Sequence, residues 1–169
     1  MEKTHANPIR VAYGVTVLEN GRLSGGIDGI GRYTQELAAS LIRRDSVALT
    51  PFHYARVADG RSAGRFDVQA LWSLASGRPF PIMQRRLEGR ADILHATDHF
   101  VPCLQKIPVV ATIMDAIPLA HPEWVAYRFK TIKHALWARS VKWAAQIITI
   151  SEHSRQKIQA FFNIPSDRI

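Results

Sequence analysis

The sequence predicts an α/β domain built on a doubly wound parallel sheet with helices on both faces. Three observations lead there. Short Val- and Ile-rich runs alternate with amphipathic helical runs, the first apolar run is followed by a glycine-rich loop that opens a helix, and the later apolar runs end in polar residues. Sheets of this kind bind ligands outside the carboxyl ends of their strands, so chemistry is expected at those ends.

Each element has its own local reason. Ile9 to Leu18 (IRVAYGVTVL) is short, rich in β-branched residues and reads as a buried first strand. The loop GGIDGIGRY begins at residue 25, and from Ile30 the apolar positions Ile30, Tyr33, Leu37 and Leu41 recur at helical spacing. That predicts a helix to about Arg43, with Arg43 and Arg44 at the end of the helix that favours cations. Val47 to Tyr54 reads as a second strand despite Pro51. Residues 55–90 are mixed in character, with Gly60, Gly64, Gly77, Pro79 and Pro81 breaking any long element. ADILHA (91–96), IPVVATIMD (107–115) and AAQIITIS (144–151) read as three more strands. Between the last two, RFKTIKHALWARSVKWAA (128–145) reads as a helix, with Phe129, Ile132, Leu136 and Trp143 in one stripe, and a final helix begins at Ser151.

Composition sets the outer bounds. A chain of 169 residues with 47% hydrophobic and 21% charged residues suits one soluble domain with a real core. With 22 Lys and Arg against 14 Asp and Glu, the net charge of +8 favours anionic partners, whether phosphates, nucleic acid or acidic lipid headgroups. The single cysteine, Cys103, excludes an internal disulfide framework and fits a reducing compartment. The opening MEKTHANPIR has no apolar run that would act as a signal peptide, and no apolar stretch is long enough to span a bilayer. A cytoplasmic location is expected.

The glycine loop admits two readings. A glycine turn before a helix lets backbone amides approach an anion, with the helix dipole adding roughly half a positive charge. Alternatively it is a surface turn in which Asp28 caps the helix. Two better-known phosphate motifs fail here: the third glycine of a dinucleotide fingerprint falls at Thr34, and the P-loop spacing from Gly26 to Gly31 is followed by Arg32 and Tyr33. His95, Asp98 and His99 in HATDH follow a strand and read as polar residues lining a cleft, since histidines four apart share a face only on a helix. Asp115 is either a turn former before Pro118 or a hydrogen-bond acceptor for a sugar or hydroxyl substrate. Ser151 and Glu152 fit a helix start better than a nucleophile site, and G-x-S-x-G is absent. In the 128–143 helix, Arg128, Lys130, Lys133, Arg139 and Lys142 stand with no acid among Phe129, Trp137 and Trp143. Such a helix can dock on anionic membranes or on nucleic acid, or can be a core helix with a solvated face.

In order along the chain, GIGRYTQELAASL, DILHATDHFVP, PVVATIMDAIPLAHPEW, AAQIITISEHSRQKI and FNIPSDRI resemble the N-terminal, acceptor-side half of a retaining family 4 glycosyltransferase with the GT-B fold. The resemblance implies a Rossmann-like domain over 1–169, with the C-terminal nucleotide-sugar-binding domain absent from this chain, which alone would be inactive. It also implies transfer of a hexose-type sugar from a nucleotide-diphosphate donor to a hydroxyl with retention, in glycan, lipopolysaccharide or glycolipid biosynthesis. Neither metal nor cofactor is implied. Gly29 would approach the donor diphosphate and Gly31 would shape the same turn. Asp115 matches the aspartate of a T-x-H-D segment whose histidine position is Met114 here. His95, Asp98, His99 and Ser151 would line the acceptor side. A glycan or lipid-linked acceptor is the expected partner, with peripheral contact at the inner face of a membrane and no nucleic acid. The competing reading is a non-catalytic glycosyltransferase-like binding or scaffold module.

Overall fold

The structure, a computed structural model, describes residues 7–18, 26–54, 66–97, 101–125 and 129–169. Among them, five strands form one parallel sheet: β1 (Ile9–Gly14), β2 (Val47–Phe52), β3 (Ile93–Ala96), β4 (Val109–Thr112) and β5 (Gln146–Ile148), in the order β2-β1-β3-β4-β5. The helices are α1 (Gly29–Ile42), α2 (Phe66–Ser76), α3 (Pro81–Leu87), α4 (Ile117–Ala120), α5 (Lys130–Ser140) and α6 (Glu152–Phe162), with 3-10 turns at Pro122–Trp124, Val141–Trp143 and Ser166–Arg168. This is the doubly wound, Rossmann-like α/β fold that the alternating pattern predicts.

Strand alternation sorts the sheet into two unlike faces. Ala12, Leu94, Ala96, Val109, Ala111 and Ile147 share one face and join Met83 and Leu87 of α3, Trp137 of α5 and Ile158 and Phe162 of α6 in the main apolar core. The Trp137 and Phe162 rings meet edge to face with centroids 4.8 Å apart. The other face presents Tyr13, His95 and Thr112 beneath α1, where the Tyr13 hydroxyl donates to the Thr34 carbonyl at 2.9 Å. One face is closed by hydrocarbon and the other by hydrogen bonds.

Several elements differ in extent from the sequence reading, each for a local reason. β1 stops at Gly14 rather than Leu18: Val15 N still donates to Phe52 O at 2.9 Å, but Leu18 N then folds back onto Val15 O at 3.0 Å. β2 keeps Pro51 because it is an edge strand, where a missing N–H leaves no ladder bond unmade. β4 ends at Thr112, and Met114 and Asp115 lie in the loop beyond it. The mixed region contains α2 and α3. Its glycines and prolines bound these helices: Gly77 takes φ +65° after α2, Pro81 opens α3, and Gly89 takes φ +75° after it.

The helix expected over 128–145 is α5 over Lys130–Ser140 followed by the Val141–Trp143 turn, and its buried residues are Trp137, Ser140 and Val141. Two members of the apolar stripe read from the sequence, Phe129 and Ile132, point into solvent. Spacing reveals a stripe without saying which side the sheet will cover. Among the described residues, no helix is long and apolar enough to cross a membrane.

At the amino end of the sheet, Arg10 and Asp92 pin β1 to the turn before β3. Arg10 N and Nε reach Asp92 Oδ2 at 2.8 and 3.2 Å, Nη2 reaches Oδ1 at 2.6 Å, and Asp92 N returns a bond to Arg10 O at 2.8 Å. Side-chain and backbone bonds from Arg10 lower the Asp92 carboxyl to about 2. Because the folded value lies below the ordinary carboxyl value near 4, the pair's contribution is present above about pH 4 and is lost as pH falls towards 2. Urea midpoints measured across that window should fall for the native protein and fall less for Asp92→Asn; parallel curves would show that the pair contributes nothing.

Candidate functional site

The sheet order reverses between β1 and β3, and the crevice outside their carboxyl ends is where open α/β sheets hold ligands. The two strand ends are in close contact. A Cβ at Gly14 would stand 3.0 Å from the His95 carbonyl oxygen and 3.3 Å from Thr97 N, while the buried Thr97 hydroxyl donates to Gly14 O at 2.8 Å. A glycine lets β1 run this near to β3, where a Cβ would require the neighbouring backbone to give by a few tenths of an ångström.

Beyond β1 the glycine loop delivers the chain to α1. Asp28 is the N-cap, with extended backbone, and its side chain accepts from Gly31 N at 2.8 Å while its carbonyl accepts from Arg32 N at 2.9 Å. The capping role weighed for Asp28 is therefore present. The two glycines of GIG are not equivalent. Gly29 is exposed and a Cβ there meets nothing within 4 Å, whereas a Cβ at the buried Gly31 would lie 2.4 Å from Ile27 Cγ2. Gly31 shapes the turn by letting Ile27 fold over it. Gly29 leaves the start of the helix open to solvent.

A hydrogen-bonded chain ties α1 to the strand ends. The Tyr33 hydroxyl lies 3.3 Å from Thr112 Oγ1, which lies 2.9 Å from His95 Nε2. The threonine has a single proton, so it donates to at most one of these neighbours and can accept from either. His95 meets the edge of Tyr13 with centroids 5.4 Å apart, and its burial pushes its pKa down to about 4. The ring is neutral at physiological pH. Burial, with Tyr33 nearby, also pushes the Tyr13 hydroxyl well above its ordinary range.

The remaining residues singled out in the sequence sit at strand ends and are engaged locally. Asp115 Oδ1 accepts from Ile117 N at 2.9 Å, the turn-forming arrangement before α4. Met114 O accepts from Thr149 Oγ1 at 3.2 Å, which joins the exits of β4 and β5. Ser151 caps α6, its Oγ accepting from Ser154 N at 3.1 Å, with Glu152 in the first turn. Asp98 and His99 lie outside the described residues. The structure brings His95 together with two residues that motif reading passed over, Tyr33 and Thr112. Tyr33 was visible only as an apolar helix position. A threonine ending an apolar strand, as at Thr97 and Thr112, was the available signal.

A family model for Glycosyltransferase Family 4 matches residues 27–169. The chain belongs to glycosyltransferase family 4. The match begins in the glycine loop and covers the ends of β2, β3, β4 and β5, so this family 4 domain has a glycosyltransferase-type architecture that handles a sugar donor and an acceptor. No match was found among curated proteins.

The contrast between the two glycines yields a stability test. Gly29→Ala adds a methyl in open space in the first turn of a helix and should stabilise by about 0.5–1 kcal/mol. Gly31→Ala must displace Ile27, and should lower the urea midpoint despite its gain in helix propensity. The reverse order of midpoints would mean that Ile27 does not pack over Gly31.

Proposed function

We propose that this family 4 domain is the acceptor-side, N-terminal half of a GT-B enzyme that moves a sugar from a nucleotide-diphosphate donor to a hydroxyl acceptor with retention. A second, C-terminal domain supplies most of the contacts to the nucleotide. The observation that carries this reading is the open start of α1 beside the β1–β3 reversal, within a chain matched by the family model over 27–169. An anion approaching Gly29 meets no side chain at that residue and the positive end of a helix dipole. Catalysis would come from positioning the two substrates and from stabilising the departing diphosphate with backbone amides. Asp115 and Ser151 then act chiefly by fixing the loops that surround the acceptor, because each already spends hydrogen bonds on its own turn. His95 contributes from beneath, holding Thr112 and through it Tyr33 of α1.

Met114 supports a second reading. Where the family pattern resembled by this segment has a histidine facing the donor sugar, a thioether offers no strong hydrogen bond. A binding or scaffold module without transfer activity would tolerate that change.

The two readings separate in a transfer assay. The 169-residue chain alone should show negligible transfer from a panel of nucleotide-diphosphate sugars, and the full-length protein should show turnover of the order typical of enzymes, about 1–1000 per second. In the full-length protein, Gly29→Val should sharply reduce donor affinity or turnover. Because the site has room for a Cβ and lies in the first turn of α1, the fold should survive the change. Transfer by the isolated chain would overturn the half-enzyme assignment, unchanged kinetics in Gly29→Val would remove the loop from the donor site, and an inactive full-length protein would favour the scaffold.

A further inference from the structure

The segment that leaves β4 carries a pair of stacked rings outside the apolar core. His121 N donates to Ile117 O at 2.8 Å and closes α4, and Trp124 N donates to His121 O at 3.0 Å in the Pro122–Trp124 turn that follows. Side chains three apart eclipse in a 3-10 turn, so the Trp124 indole lies flat on the His121 imidazole, with centroids 4.0 Å apart and planes 10° from parallel. Lys130 Nζ donates to Pro122 O at 3.1 Å, which fastens this turn to the start of α5. With the imidazole against one face of the indole, the 66% exposure of Trp124 leaves the other face to solvent.

Single surface hydrophobics need no explanation, but this one has a polar rim. Glu123 Oε1 lies 3.1 Å from His121 Nδ1, and a carboxylate only accepts, so Nδ1 carries the proton and donates. In the neutral ring that makes Nε2 an acceptor. Glu123, its side chain largely exposed, keeps a second carboxylate oxygen, and the indole N–H adds a donor. A flat apolar face edged by acceptors and a donor matches a pyranose ring, whose C–H bonds line one face while its hydroxyls project around the edge. The ionised carboxylate repels phosphates and acidic headgroups and accepts from neutral hydroxyls, so the site favours an uncharged sugar over an anion.

We propose that Trp124, stacked on His121 and flanked by Glu123, is a platform for a neutral sugar ring of the acceptor. The platform follows the carboxyl end of β4, the strand beside β3 in the sheet, and so belongs to the side of the domain where the β1–β3 crevice opens. Its part in holding the acceptor rests on the transferase reading; its affinity for a sugar ring does not.

Saturation-transfer difference NMR on the 169-residue chain tests the platform without any sugar nucleotide. The probes are the methyl glycosides of glucose, galactose, mannose and N-acetylglucosamine, with maltotriose as a neutral oligosaccharide. At least one should receive saturation, strongest at the C–H protons of one ring face. Trp124→Ala should lower that signal at least about fivefold, whereas Trp124→Tyr, which restores a flat ring, should keep most of it. Both should retain the native melting temperature, because the side chain is exposed. If Trp124→Ala melts early, Trp124→Leu decides, since leucine is apolar without a flat face and should lose the signal equally. Absent saturation of every probe, undiminished saturation in the folded Ala or Leu variant, or equal loss in Trp124→Tyr would overturn the proposal. Failure here leaves the transfer reading standing, and absent transfer with intact sugar binding strikes only that reading.

Discussion

The closeness of Gly14 to the end of β3 is the constraint on which the rest of the arrangement depends. With His95 O 3.0 Å and Thr97 N 3.3 Å from where a Cβ would sit, β1 and β3 converge at their carboxyl ends, and the Thr97 hydroxyl closes the junction with a bond to Gly14 O. β1 then leaves the sheet after Gly14, where Leu18 N folds back onto Val15 O. The same convergence places Tyr13 beside His95 in the strand register, and with them the ring contact that buries the imidazole.

From that junction the two faces of the sheet follow different physics. On one, apolar side chains from five strands and three helices exclude water and stabilise the domain by burial, with no directional demand beyond packing. On the other, Tyr13, His95 and Thr112 are polar and buried, so each needs a partner: α1 provides Thr34 O for Tyr13 and the Tyr33 hydroxyl for Thr112, and Thr112 in turn serves His95. Directional bonds fix where α1 lies along the strands in a way that oily contact alone does not. The helix that opens at Gly29 is thereby held in register with the strand ends, as a donor-side surface would require.

Reading the sequence located five strands and a parallel, doubly wound sheet, because β-branched runs and helical periodicity are properties of single segments. The Asp28 and Ser151 caps were equally local and equally visible. What escaped was whatever depends on a distant neighbour. Gly14 passed without remark inside the Ile9 to Leu18 run, since nothing nearby reports that His95 will stand against it. Tyr33 and Thr112 are 79 positions apart and became partners only through the fold. In the 55–90 region the expected breaks were legible but the helices between them were not: Gly77 and Pro81 bound two helices among the described residues, and Gly60 and Gly64 lie outside those residues. The direction of the α5 stripe was not legible for a related reason: periodicity gives a face, and burial chooses between faces only after Trp137 has found Phe162.

The account's central claim is that the β1–β3 junction is too tight for a side chain at residue 14 unless the neighbouring backbone shifts. Equilibrium urea denaturation of Gly14→Ala addresses it directly, because the atoms a methyl would meet are ladder backbone rather than a flexible side-chain tip. The expected loss is about 1–3 kcal/mol, the usual cost of forcing extra atoms into packed structure. An unchanged or higher midpoint, with the native far-ultraviolet spectrum retained, would contradict the claim and remove the junction as the feature that positions the site.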